Sequence, residues 1–321
     1  MQRLWNRMAL NRFLVLGRVG MDLNADPPGT RIDAARAFTT SIGGSAGNIA
    51  VALARQGAQA ALVSVLSDDA VGAFCLRELA DYGVDTGHVR RVRGEARSSL
   101  ALTETIAEGC QTVLYRNNAA DLGLAEADVR DLPCEGVAAL VVTGTALAAE
   151  PSRSAARLAM ARARAAGALV VLDVDYRAYS WPSQSEASAV CLAAAEASDI
   201  VIGNDVEFGL LAGGMENGPA LAAALAQHGL LFTVYKRGPE GATTHTADFS
   251  FDTPVFRVQA LKPTGAGDGF MGGLLAGLAQ GHTLERAVRR GAATAALIVS
   301  GVGCAPASPD RATVDRFIAL S

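Results

Sequence analysis

Thr264-Gly265-Ala266-Gly267-Asp268-Gly269 stands directly ahead of an apolar run that continues to Gln280. The run predicts a helix over 267–280, opened by a turn made of small residues. Such a turn lets backbone N–H groups approach an anion, and the helix N-terminus adds the positive end of its dipole. Asp268 falls in the first helical turn. A carboxylate there is placed to accept the proton of a nucleophilic hydroxyl, the general-base role that phosphoryl transfer to an alcohol uses. An aspartate capping a helix after a glycine turn has the same local sequence, so the stretch by itself leaves both readings open.

Outward from this turn, strands and helices alternate. Apolar runs predict strands at 13–16, 61–66, 139–143, 168–174, 199–203 and 231–236. Helical patterns fall at 48–54, 71–82, 152–166, 185–197, 220–228 and 284–299. Alternation of this kind implies βαβ units and a parallel sheet covered by helices on both faces. One region breaks the rhythm. Residues 98–106 and 111–115 are β-rich and alternating, with a turn at Glu108-Gly109, and read as a hairpin standing apart from the main sheet as a lid. Residues 24–36 are polar and contain proline and glycine. No repeat, low-complexity tract or linker divides the chain. The expectation is one α/β domain over 1–321, with a lid formed from about 22–42 and 95–120.

Composition excludes several classes. Half of the 321 residues are hydrophobic and 5% are aromatic, so small and aliphatic side chains fill the interior, as between helices and parallel strands. A net charge of −4 and the lack of a basic run argue against nucleic acid as a partner. The five cysteines, Cys75, Cys110, Cys134, Cys191 and Cys304, are odd in number and widely spaced. They support neither a zinc site nor a disulfide framework, and reduced thiols in a cytoplasmic protein are expected. Residues 1–12 carry three arginines without the apolar core of a signal peptide. No apolar run reaches the roughly 18 residues that span a bilayer, so no membrane partner is expected.

Gly43-Gly44-Ser45-Ala46-Gly47-Asn48, opening an early helix, resembles the first signature of the PfkB, or ribokinase-like, carbohydrate kinases. Gly265 to Asp268 resembles the second, in the right order and at the right separation. Asn204-Asp205-Val206-Glu207 is similar to that family's Asn-x-x-Glu motif, and 233–241 to its nucleotide-side strand and glycine loop. The resemblance covers about Phe13 to Pro306. It implies a three-layer α/β/α sandwich with a mostly parallel central sheet and a small β lid, acting with ATP and Mg²⁺.

Roles follow from the resemblance residue by residue. Asp268 would be the base, and the N–H groups of Ala266, Gly267 and Asp268, after Gly265, would form the anion hole. Asp22, Gly43, Gly44 and Asn48 would hold the acceptor. Glu207, through water, and Asn204 would place Mg²⁺. Asn204, Lys236, Gly238, Gly241, Lys262 and Gly267 would line the nucleotide side. Taken singly, Asp22 also reads as a turn former and Glu207 as an acid complementing a helix dipole. Lid hairpins in this family often pair across a homodimer.

The acceptor is narrowed by two segments that resemble those of sugar-acid kinases, Tyr115-Arg116 at the end of the hairpin and Asp173 to Arg177 after a strand. An arginine fork binds a carboxylate with two hydrogen bonds; arginines packing along their stems on the surface are the competing reading. Residues 17–23, Tyr176-Arg177 with Trp181, Lys262-Pro263-Thr264 and 303–307 are similar to the family members that phosphorylate the 6-hydroxyl of 5-dehydro-2-deoxy-D-gluconate in inositol catabolism. Most members carry aspartate at the place of Lys262, so statements resting on that aspartate, monovalent-cation activation included, do not transfer. Ala178 stands where proline is expected. A 2-keto-3-deoxygluconate kinase, a fructokinase and a non-catalytic sugar or nucleotide sensor are the alternatives. A dinucleotide oxidoreductase would want Gly-x-Gly-x-x-Gly after the first strand, which Gly17 to Gly20 does not supply.

Overall fold

A computed structural model describes residues 1–106 and 108–321. Its strands are β1 (Arg12–Leu16), β2 (Gly20–Asp26), β3 (Ala37–Gly43), β4 (Gln59–Ser67), β5 (Asp85–Val92), β6 (Ser99–Thr103), β7 (Thr112–Tyr115), β8 (Ala139–Thr143), β9 (Leu169–Asp173), β10 (Ile200–Asn204), β11 (Phe232–Lys236), β12 (Ala242–His245) and β13 (Ser250–Thr253). Nine of them form one sheet in the order β13-β12-β11-β10-β9-β8-β1-β4-β5. It is parallel from β11 through β5, and β12 and β13 add an antiparallel edge.

The apolar strands are buried on both faces. In β1, Leu14 and Leu16 enter one core, with Ala155, Ala159 and Phe208, while Phe13 and Val15 enter the other, with Ile49, Met271 and Leu274. Period-two alternation sends successive side chains to opposite faces, and both faces are covered, which is why the central strands are mostly apolar. Each fully buried Leu, Val or Phe contributes about 1.5–3 kcal/mol of transfer free energy. Among the described residues no helix is long and apolar enough to cross a membrane.

The smaller sheet has the order β3-β2-β6-β7. β2 pairs antiparallel with β3 and parallel with β6, which pairs antiparallel with β7. The hairpin at 98–106 and 111–115 is therefore half of this sheet, apart from Ala107, which lies outside the described residues. The other half comes from β2 and β3, on either side of the polar stretch at 24–36. Those two strands, together with β5, β12 and β13, escape a hydrophobic-run criterion because they are edges or are wetted on one face. Short helices at Gln2–Met8 and Arg311–Leu320 also lie outside the alternating pattern. All five cysteines are free, and four are buried.

Candidate active site

The carboxyl ends of the parallel strands and the inner face of the small sheet enclose a cavity of ≈ 1090 Å³. The helix Ala266–Ala279 starts in it. Gly265, at φ +82°, makes the left-handed turn into that helix, and a Cβ there would run into Cys304 Sγ, so both backbone and space require glycine. No side chain caps this helix. Its first N–H groups, on Ala266, Gly267 and Asp268, are left to the cavity, where an anion would satisfy them.

Asp268 Oδ2 accepts a hydrogen bond from Asn48 Nδ2 at 2.8 Å. This contact joins the two glycine-opened helices across 220 residues of sequence. Burial pushes the Asp268 carboxyl up to about 6; the charge of Asp175 adds to this and the Asn48 hydrogen bond opposes it. Asn48 Oδ1 is buried without a partner among the described residues. A hydroxyl entering beside Asp268 would meet a carboxylate that accepts its proton and an amide oxygen that accepts another hydrogen bond.

Around this pair lies an acidic cluster in which sequence reading had given a role of its own only to Glu207. Asp173 ends β9, and Asp175 follows at φ +35°. Asp175 accepts hydrogen bonds from Ser45 Oγ at 2.6 Å and Thr145 Oγ1 at 3.0 Å, and Arg177 Nη2 lies 3.0 Å from its other oxygen. Glu207 and Asn204 form a reciprocal cap: Glu207 N–H donates to Asn204 Oδ1 at 2.9 Å, and Asn204 N–H donates to Glu207 Oε2 at 2.7 Å. Tyr176 N–H reaches Glu207 Oε1 at 3.3 Å. Burial holds both Asp173 and Glu207 above the usual carboxylate range, with Lys236 pulling each back down. Three acids with raised proton affinity, Asp173, Glu207 and Asp268, thus share the sheet end of the cleft. A Cβ on Gly267 would lie 3.3 Å from Lys236 Nζ, which puts that ammonium beside the helix start.

At the other end of the cavity, Asp22 on β2 is only 9% exposed, and burial raises its carboxyl although Arg18 and Lys262 oppose the rise. A Cβ on Gly43 would occupy the space of the Asp22 carboxylate. Gly44 turns the chain at φ +89° with room only for hydrogen, since a Cβ would fall 2.5 Å from Arg18 O. Beyond Lys236, Gly238 and Gly241 the cavity continues between Val255, Phe256, Ala292 and Ala295, an apolar slot with the character of a base-binding wall. No motif marked that wall, because its residues come from two separate segments.

Not every residue singled out from the sequence faces the cavity. Arg116 is 8% exposed and turned inward: Nε and Nη2 both donate to Asp121 Oδ2, and Nη2 also reaches Thr145 O at 3.0 Å. Its fork is filled by the protein's own carboxylate and does not line the cavity. Tyr115 is 57% exposed; Thr112 and Leu114 line the cavity, so strand alternation turns Val113 and Tyr115 to the outside of the lid. Lys262 is wholly buried below the turn, donating to Thr264 O at 2.8 Å and lying 3.6 Å from Cys304 Sγ. Arg177 does line the cavity, though half exposed and bound to Asp175.

A doubly covered parallel sheet, an uncapped helix start facing a cleft and a buried carboxylate beside it have the build of a kinase that phosphorylates small alcohols. The model of the pfkB family carbohydrate kinases matches residues 11–311, and the chain belongs to that family. It is 38% identical over 310 residues to a 5-dehydro-2-deoxygluconokinase of Photobacterium profundum, covering 95% of this chain and 94% of that one. It is 35% identical over 314 residues to 5-dehydro-2-deoxygluconokinase 2 of Bacillus cereus, covering 96% and 95%. Among solved structures, a fructokinase from Xylella fastidiosa with bound ATP is similar at a TM-score of 0.86 and 26% identity, over 97% of this chain and 98% of that one.

Proposed function

We propose that this carbohydrate kinase transfers the γ-phosphoryl group of ATP to the 6-hydroxyl of 5-dehydro-2-deoxy-D-gluconate. The observation that carries the chemistry is the Asn48–Asp268 contact at an uncapped helix start. The acceptor rests on the relatives' names and on the basic side chains in the cleft.

The acceptor hydroxyl lies against Asp268, whose second oxygen, Oδ1, takes its proton as the oxygen attacks phosphorus. Asn48 holds the other oxygen and so fixes the carboxylate plane. The N–H groups of Ala266, Gly267 and Asp268, with the Lys236 ammonium, take up charge on the migrating group. Asp22 accepts hydroxyls at the far end of the acceptor. The lid strands β2 and β6, sharing the cavity with the main sheet, exclude water.

A divalent cation fits the acidic side of the cleft. Asp173 and Glu207 are buried acids whose charged forms lack full compensation, and the described residues hold no cluster of three or more acidic, histidine or cysteine ligands that would cage a metal. That suits Mg²⁺, which keeps several waters and binds through phosphate oxygens with few protein contacts. When bound, it would neutralise charge on the triphosphate. Glu207 already spends both oxygens on backbone N–H groups, so it would act through water.

The apolar outer face of the lid at Val113 and Tyr115 suits pairing with a second copy of the chain. Comparing kcat/KM on 5-dehydro-2-deoxygluconate, 2-keto-3-deoxygluconate and fructose tests the acceptor. The first should lead fructose by at least roughly 10²-fold; phosphorylation of fructose alone would contradict the assignment.

A further inference from the structure

We propose that Arg18, to which sequence reading gave no role, receives the carboxylate of the acceptor. This deepens the acidic-acceptor reading and rests on it. Four cationic side chains line the cavity: Arg18, Arg177, Lys236 and Arg257. Arg177 is tied to Asp175 at 3.0 Å. Lys236 stands at the helix start among Asp173 and Glu207. Arg257 is exposed and follows Val255 and Phe256 on the apolar wall. Arg116, the other arginine expected to bind the acid, is closed by Asp121. At the lid end only Arg18 remains, and it makes no ion pair among the described residues.

Its position is built at both ends. The Arg18 carbonyl accepts from Gly47 N–H at 3.3 Å, which pins its backbone to the first turn of the helix Ser45–Arg55. The guanidinium donates through Nη1 to Ser99 Oγ at 3.1 Å. Ser99 is itself buried, on lid strand β6. One of five N–H groups is thus used, and the fork stays open beside Asp22, Asn24 and Thr103. A guanidinium half removed from water, near Asp22 but in no direct ion pair among the described residues, favours a ligand that brings a hydrogen-bonded counter-charge, and a planar carboxylate matches its geometry. A neutral sugar offers no such partner. Asp22 accepts hydroxyls next to it, so acceptor orientation is set by one acid group and two protein charges.

The test measures kcat/KM of wild type, Arg18→Gln and Arg18→Lys on 5-dehydro-2-deoxygluconate and on its C1 amide, with ATP KM as the control. In Arg18→Gln, kcat/KM on the acid should fall roughly 10- to 100-fold, chiefly through KM, as for a lost charge-assisted pair. Turnover of the amide should change little, Arg18→Lys should fall between, and ATP KM should hold. Ser99→Ala, which only loosens the guanidinium, should shift the acid in the same direction by less. Equal losses on acid and amide would mark Arg18 as structural and overturn the proposal, as would unchanged turnover of the acid. Wild type that uses fructose and no acid would overturn the acceptor reading and this proposal together; acid-specific wild type with an unaffected Arg18→Gln would overturn this proposal alone.

Discussion

The two ends of the cleft carry their charge differently. At the sheet end, Asp173, Asp175, Glu207 and Asp268 crowd together with Arg177 and Lys236, and burial raises the proton affinity of Asp173, Glu207 and Asp268. At the lid end, Arg18 forms no ion pair among the described residues, and Asp22 feels its charge without bonding to it. An excess of negative charge awaits the cation that travels with ATP, and an open guanidinium awaits an acid. A further charged pair, Arg116–Asp121, is closed on itself away from the cleft.

Changes that break this contrast should differ in kind as well as size. Replacing Asp268 by Asn removes the base while keeping the Asn48 neighbour, and should lower kcat by about 10²–10⁴-fold with ATP binding retained, measured by turnover and calorimetric titration. Arg116→Met leaves Asp121 buried and uncompensated, so it should destabilise the protein by about 3–5 kcal/mol in urea unfolding while leaving the acceptor KM of the folded enzyme near wild type. A rise in KM without loss of stability would return Arg116 to the acceptor site.

Asp173→Asn should do the reverse, stabilising the free protein and slowing turnover. Its folded proton affinity lies above the ordinary value of 3.8, so the charged form is disfavoured by folding. That penalty is absent below pH 3.8 and grows as pH rises through the folded value. Unfolding at pH 7 should therefore show the substitution stabilising, with the gain shrinking toward about pH 4. The smallest effect belongs to Tyr115→Ala on the outer lid face: stability should move by no more than about 0.5 kcal/mol and kcat should hold, whereas sedimentation should report weakened self-association.

The sheet and the base were legible in the sequence because their signals are local. Strands buried on both faces must be continuous apolar runs, and a glycine turn ahead of a helix is visible within six residues. The lid region was read at about 22–42 and 95–120, but as strands only β6 and β7 were legible, since they alternate, while β2 is wetted on one face and β3 is exposed along its first four residues. The acidic cluster was hidden by distance: Asp175 meets Ser45 across 130 residues and Thr145 across 30. Arg116 and Arg18 show the limit most plainly. Both are arginines near strand ends, and only the fold reveals that one is closed by Asp121 while the other, held by Ser99, lines the cavity.

Base catalysis by Asp268 is tested most directly by the pH dependence of kcat/KM with both substrates below their KM, which reports the free enzyme. The carboxyl is pushed up to about 6, and its ionised form is the active one. Rate should therefore be level above that value and fall about tenfold per pH unit below it, and the residual activity of Asp268→Asn should lack this limb. A wild-type profile that stays flat from about pH 7 to about 5, or a limb that persists unchanged in Asp268→Asn, would contradict it.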